Sequence, residues 1–324
     1  MKVLFIGGTG IISSACSQLA LERGMDLYLL NRGQSNRPIP AGARVIQGNI
    51  REPDTIRGLI AQEHFDAVVD WVAYTPDQVK TDIRLFDEKT DQYLFISSAS
   101  AYQKPLAGLP ITESTVLANP FWEYSRNKIA CEELLVSTYR QAQFPITIVR
   151  PSHTYDKTSI PLHGGWTVID RMLKGKPIVV HGDGTSLWTM THHRDFAKGF
   201  IGLLGNPHAI GEAIHITSDE LLTWNQIALA LGKAAGVIPE VVHIASDRIN
   251  QYDPDWGASL LGDKAYSVIF DNSKIKRLVP EFCATIPFAR GAEEIIHWYL
   301  ADPERQGINT EFDLLCDRMI AENG

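Results

Sequence analysis

Ile6-Gly7-Gly8-Thr9-Gly10-Ile11-Ile12-Ser13 follows an apolar run over residues 2–6 and precedes a stretch with helical spacing over 13–23. Glycines let a backbone turn tightly and approach a pyrophosphate. The helix that follows adds unpaired N–H groups and a positive dipole end. A lone glycine pattern is often only a tight turn, so the weight comes from its strand–loop–helix context. Ser13 replaces the last glycine of such a loop and is small enough for close packing. Gly7, Thr9, Gly10, Ile11 and Ile12 are therefore the expected phosphate cradle of a dinucleotide.

Outward from this loop, the first half alternates two patterns. Apolar runs at 26–30, 44–47, 67–72, 93–96 and 146–149 are separated by helix candidates at 54–62, 78–86 and 123–136. Continuous apolar strands between amphipathic helices imply a parallel sheet covered on both faces. The expected fold class is α/β, a doubly wound parallel sheet with a second, smaller C-terminal substrate lobe. Its ligands would lie beyond the carboxyl ends of the strands. After Arg150-Pro151 the rhythm loosens and Pro, Gly and His become frequent. Helices are expected at 166–173, 194–204, 223–235 and 288–299, and 213–217 reads as a strand returning to the sheet. The reading is a dinucleotide-binding domain over 1–151, with return segments near 185–217. Residues 152–324 are mainly a substrate-binding lobe, interleaved with the first.

The second strand ends in Asn31-Arg32, where an NAD site usually has an acidic residue for the ribose hydroxyls. Asn31 still donates and accepts hydrogen bonds, and Arg32 suits a 2′-phosphate. The expectation is NADP or NAD with NADP favoured; a solvated surface arginine is the plainer alternative.

Tyr124-Ser125-Arg126-Asn127-Lys128 sets a tyrosine and a lysine four residues apart, on one face of a helix. A free phenol, with a pKa of about 10, is a poor base at neutral pH, and a nearby ammonium is expected to lower it. Ser98, at the end of a strand, is placed to hydrogen-bond a substrate oxygen, with Ser97 as its rival. Ser98, Tyr124 and Lys128 together would couple proton and hydride transfer at one carbon–oxygen bond, the lysine also holding the nicotinamide ribose.

Bulk properties exclude other classes. The chain has 324 residues, 44% hydrophobic and 21% charged, as in an ordinary globular enzyme. A net charge of −8 disfavours nucleic acid, which needs a concentrated basic face. The four cysteines are scattered without a CxxC pair, which argues against a zinc site or a disulfide framework. His192-His193 has no companion ligands in sequence, so no metal is expected. No apolar run approaches the about 18 residues of a membrane span, and the first strand is too short for a secretory core. The expected location is cytoplasmic, without a membrane partner.

With the glycine loop, the serine strand and the Tyr-Lys pair, the chain resembles the extended short-chain dehydrogenase/reductases, the NAD(P)-dependent epimerases, dehydratases and reductases that include nucleotide-sugar epimerases. The resemblance covers nearly the whole length. It implies that Asn49 and Ile50 of Gln47-Gly48-Asn49-Ile50 contact adenine, that Val72 and Ala73 of Trp71-Val72-Ala73 line the cofactor, and that Pro151 and Ser152 lie near the nicotinamide. Ser97-Ser98-Ala99-Ser100-Ala101-Tyr102 resembles the family's serine strand, in a spacing that selects Ser98. A homodimer is the family's usual state, and a small molecule the usual partner.

The departures fall on the substrate side. Trp188 stands about where nucleotide-sugar enzymes carry an arginine, and His153 where they often carry asparagine. Ala99-Ser100 replace the Asp-Glu pair that a sugar dehydratase would want. Tyr74, Thr75, His153, Trp188 and His192 are the candidate substrate contacts. The Asn31-Arg32-Gly33 turn resembles a divergent branch that includes chloroplast RNA-binding proteins of this fold. The leading expectation is an epimerase or reductase acting on a carbinol or ketone carbon of a sugar-like or nucleotide-sugar substrate. The alternative is a non-catalytic dinucleotide-sensing or RNA-binding protein.

Overall fold

The computed structural model describes residues 1–323. Its strands are β1 (Lys2–Ile6), β2 (Asp26–Asn31), β3 (Arg44–Gln47), β4 (Ala67–Asp70), β5 (Tyr93–Ile96), β6 (Ile146–Pro151), β7 (His153–Tyr155), β8 (Ile178–His181), β9 (Leu187–Trp188), β10 (Met190–His192), β11 (Ala213–Ile216), β12 (Leu222–Thr223) and β13 (Val241–Ile244). Seven of them form one sheet in the order β11-β6-β5-β4-β1-β2-β3, every pair parallel. The chain reverses direction across the sheet between β1 and β4. That switch point opens a crevice at their carboxyl ends, where Gly7 and Trp71-Val72-Ala73 sit.

Two apolar cores lie on the two faces of this sheet. Successive strand side chains point to opposite faces. Val3 and Phe5 of β1 therefore join one core, with Leu27, Leu29 and Val69, while Leu4 and Ile6 join the other, with Leu30, Val68 and Phe95. Helix α1 (Ile11–Glu22) covers the first face through Cys16 and Ala20. The second face is covered by α2 (Pro53–Leu59), α3 (Pro76–Phe86) and α4 (Glu123–Ala142), through Ile56, Val79, Phe86, Cys131 and Leu135. A third core gathers α5 (Trp166–Leu173), Val180, Trp188, α7 (Trp224–Ala234) and the helices Phe288–Leu300 and Thr310–Asn323. The chain between α5 and α7 is not confined to that core. Helix α6 (His193–Ile201) contributes Phe196 and Phe200 to the first face, and β11 extends the sheet beside β6.

Several elements differ in extent from their sequence pattern. Helix α1 starts at Ile11 rather than 13, because Gly10 caps it and the Ser13 hydroxyl accepts from the Gly10 N–H at 2.7 Å. Strand β4 stops at Asp70, whose side chain caps the following turn by accepting from the Ala73 N–H at 2.8 Å. The helix Thr310–Asn323 escapes the pattern because only Phe312, Cys316 and Met319 of its length are buried.

Candidate active site and cofactor cleft

The glycine loop closes the crevice by geometry that a side chain would spoil. Gly8 has φ +96°, and a Cβ there would stand 2.6 Å from Leu29 Cδ2. The left-handed backbone alone would cost a non-glycine residue about 1–2 kcal/mol. Ser17 fixes the loop from below, donating to Gly8 O at 2.8 Å. Beside the loop lies a cleft of about 610 Å³ lined by Gly7, Thr9, Asn31, Arg32, Asn49, Ile50, Arg51, Val72, Tyr74 and Gln78, among others. Seven residues expected at a cofactor thus converge on one cavity. Gly10, Ile11, Ile12 and Ala73 are outside its lining, and so are Pro151 at the end of β6 and Ser152 after it.

Arg32 is exposed at this cleft and makes no hydrogen bond or ion pair among the described residues. Asn31 Oδ1 accepts from the Gly33 N–H at 3.0 Å, and Asn49 Oδ1 from the Arg51 N–H at 3.1 Å, so both amides shape turns. Sequence reasoning passed over Arg37. Its guanidinium reaches Asp156 at 2.5 Å and Thr158 at 2.6 Å, and lies 3.5 Å from Gly10 O. The loop after β2 is thereby strapped across the glycine loop to the segment that follows β7. The Arg37 and Thr158 contacts hold the Asp156 carboxyl below its usual range despite its burial.

Tyr74 links the cleft to the Tyr-Lys helix. Its ring centre is 6.3 Å from that of Tyr124 and 4.5 Å from Lys128 Nζ. Lys128 is buried and donates to two backbone carbonyls, Ala73 O and Ile96 O, each at 2.7 Å. Burial pushes its pKa down to about 8, against the pull of the Asp70 carboxylate. The expected lowering of the Tyr124 phenol does not occur. Burial raises it to about 12, and the opposing influence is the Ser98 hydroxyl rather than the ammonium. Two of the lysine's protons go to carbonyls, Ala73 after β4 and Ile96 at the end of β5, and none of its hydrogen bonds goes to the phenol oxygen.

The two serines separate cleanly. Ser97 is buried and donates to Glu132, which is paired with Arg150. Ser98 Oγ accepts from the Ser100 N–H at 3.1 Å and lies 2.9 Å from Ser100 Oγ, which in turn accepts from Ser125 at 2.7 Å. Either hydroxyl of the Ser98–Ser100 pair can donate; when Ser100 does, the Ser98 proton is free for a group in the site. Ser100 and Ser125 lacked any sequence signal, since neither belongs to the spacing that marks the other three.

The five substrate candidates are not brought together. Tyr74 lies in the cofactor cleft, and Thr75 precedes α3. Trp188 is buried and donates to His153 Nδ1 at 3.1 Å; burial drives that imidazole's pKa to about 3, so it is neutral. His192 is buried and lies 3.1 Å from Glu294. Among the described residues no cluster of three metal-ligating side chains occurs, and no helix is long and apolar enough to cross a membrane.

Residues 3–217 match the NAD dependent epimerase/dehydratase family. Among curated proteins, a 2′-dehydrokanamycin reductase from Streptomyces kanamyceticus is 25% identical over 294 residues, covering 87% of this chain and 80% of that protein. The chloroplast stem-loop binding protein of 41 kDa b from Arabidopsis thaliana is 27% identical over 256 residues, covering 75% of this chain and 65% of its own. An epimerase structure from Methanothermobacter thermautotrophicus superposes with a TM-score of 0.77 at 17% identity, covering 94% of this chain and 93% of its own.

Proposed function

The chain belongs to the NAD dependent epimerase/dehydratase family, and from that premise we propose that it moves a hydride between a nicotinamide and a carbinol or ketone carbon of a sugar-like substrate. Ser98 donates to the substrate oxygen, Tyr124 exchanges the proton, and Lys128 holds the ribose and supplies positive charge. The observation that carries this reading is the placement of Tyr124 and Lys128 around Tyr74, a residue of the dinucleotide cleft. The residues fit the cofactor. The cradle at Gly8 admits no Cβ, the first turn of α1 offers N–H groups to an anion, and Arg32 stands unpaired at the cleft. When bound, the dinucleotide supplies the hydride; the protein supplies orientation and proton transfer.

In this reading the phenol, at about 12 in the unliganded site, is made competent by the approach of positive charge and by the Ser98 hydrogen bond. Arg32 makes NADP the preferred dinucleotide. The test is a panel of sugar nucleotides, free sugars and ketones with each dinucleotide, followed by nicotinamide absorbance and, for concealed hydride return, by product analysis. Turnover of at least one sugar-like substrate is expected, with NADP bound more tightly than NAD. The Arg32→Ala variant should lose about tenfold affinity for NADP and little for NAD. Equal weakening of both would remove the 2′-phosphate role, and a panel with no turnover would remove the oxidoreductase reading.

A further inference from the structure

Two carboxyls meet where β4 passes into the turn before α3. Asp70 ends β4 and Asp82 lies on α3; both are buried, and they are within hydrogen-bonding reach of each other. Asp70 Oδ1 accepts from the Val72 and Ala73 N–H groups, and Asp82 Oδ2 accepts from the Tyr93 hydroxyl at 2.8 Å. The other oxygen of each, Asp70 Oδ2 and Asp82 Oδ1, is buried with no donor among the described residues. A proton on one of the two carboxyls would supply the missing donor.

The surroundings do not balance two negative charges. Around the pair stand Arg51 from the segment after β3, Tyr93 of β5, and Lys128 and Cys131 of α4. Arg51 donates through Nη2 to Val72 O at 2.6 Å, and Lys128 donates to Ala73 O and Ile96 O, so neither cation hydrogen-bonds a carboxyl of the pair. Burial keeps the Tyr93 phenol and the Cys131 thiol protonated, and neither adds positive charge. Two carboxylates in contact away from water repel, which favours a proton on one of them. Burial and the facing Asp70 carboxyl push Asp82 well above the ordinary carboxylate range, against the Tyr93 hydrogen bond and the Arg51 charge. Asp70, with two backbone N–H donors, is the member suited to carry the charge.

We propose that Asp82 is a positioning residue that works as a neutral acid, donating its proton to Asp70 so that the pair carries one negative charge, and that this charge holds the turn Val72-Ala73 in place. The turn has two duties at the site. Val72 lines the dinucleotide cleft, and Ala73 O accepts from Lys128. The Asp82 proton therefore acts on the cofactor through Asp70 and the turn, without touching it. This rests on the reading of the cleft as the dinucleotide's and of Lys128 as its ribose ligand.

Infrared spectroscopy reads the proton directly. Wild type at neutral pH should show the carbonyl band of a protonated carboxylic acid, shifted in heavy water, and Asp82→Asn should lose it. The asparagine amide supplies an N–H where the acid has its O–H. Calorimetric titration with NADP and with NAD should therefore find Asp82→Asn within about twofold of wild type and Asp82→Ala about tenfold weaker, the scale of a buried acceptor left unsatisfied. Absence of the band in wild type, its persistence in Asp82→Asn, or an Asp82→Asn affinity lowered about tenfold overturns the proposal, and these readings stand even if Asp82→Ala does not fold. The band is read without dinucleotide or substrate, and turnover by Tyr124 is measured separately, so this assignment and the proposed function can fail apart.

Discussion

Lys128, assigned by proposal to the ribose, works against the fold that holds it. Burial depresses its pKa to about 8 from an ordinary 10.5, so at neutral pH its charge is held at the expense of stability. A displacement of that size corresponds to about 3 kcal/mol. The sign follows from the protons bound. Between about 8 and 10.5 the unfolded chain keeps a proton that the folded protein has released, so stability gains with rising pH across that window. Denaturant unfolding of wild type and Lys128→Met at several pH values should show the wild type gaining relative to the variant from pH 8 to 10. Parallel curves would mean that the ammonium is not penalised. The i,i+4 spacing of Tyr124 and Lys128 was legible because it is local. The direction of the ammonium was not, because its acceptors, Ala73 O in the turn after β4 and Ile96 O at the end of β5, are far away in sequence. The phenol's high pKa was missed for the same reason.

At the scale of the element, α4 is a rotational problem solved by one face. Tyr124, Lys128 and Glu132 recur every four residues, and each has a different long-range task. Glu132 binds Arg150 of β6 and the Ser97 hydroxyl, all three buried, which fixes the turn of the helix and hence where the phenol points. Ser125 adds a second fastening through Ser100. Removing one partner of a buried ion pair leaves the other uncompensated, at a cost of about 3–5 kcal/mol. Glu132→Ala should therefore lower the unfolding free energy by that amount in urea titration. A loss below 1 kcal/mol would show that Arg150 finds water and that the pair does not set the helix. The sequence offered Ser97 and Ser98 as rivals; the choice between them lies in a contact that spans 35 residues to Glu132. The Arg37 strap spans 119 and carries no local signature at all.

At the scale of the molecule, the parallel sheet and its two covered faces were readable because apolar strand runs and helical periodicity are written in adjacent residues. The cavity beside Leu260–Lys264 was not, because that segment is a single π-helical turn and the other walls come from α7, β8 and the segment 160–164. The net charge of −8 also weighs against an RNA-binding role at this scale, since phosphate neutralisation needs a basic surface. The central claim is that Tyr124 exchanges the proton coupled to hydride transfer. The measurement that tests it most directly is single-turnover hydride transfer by Tyr124→Phe, with dinucleotide affinity measured on the same sample. The variant lacks only the hydroxyl, so the rate should fall by about 10²-fold or more while dinucleotide affinity stays within twofold of wild type; hydride transfer at the wild-type rate would contradict the account.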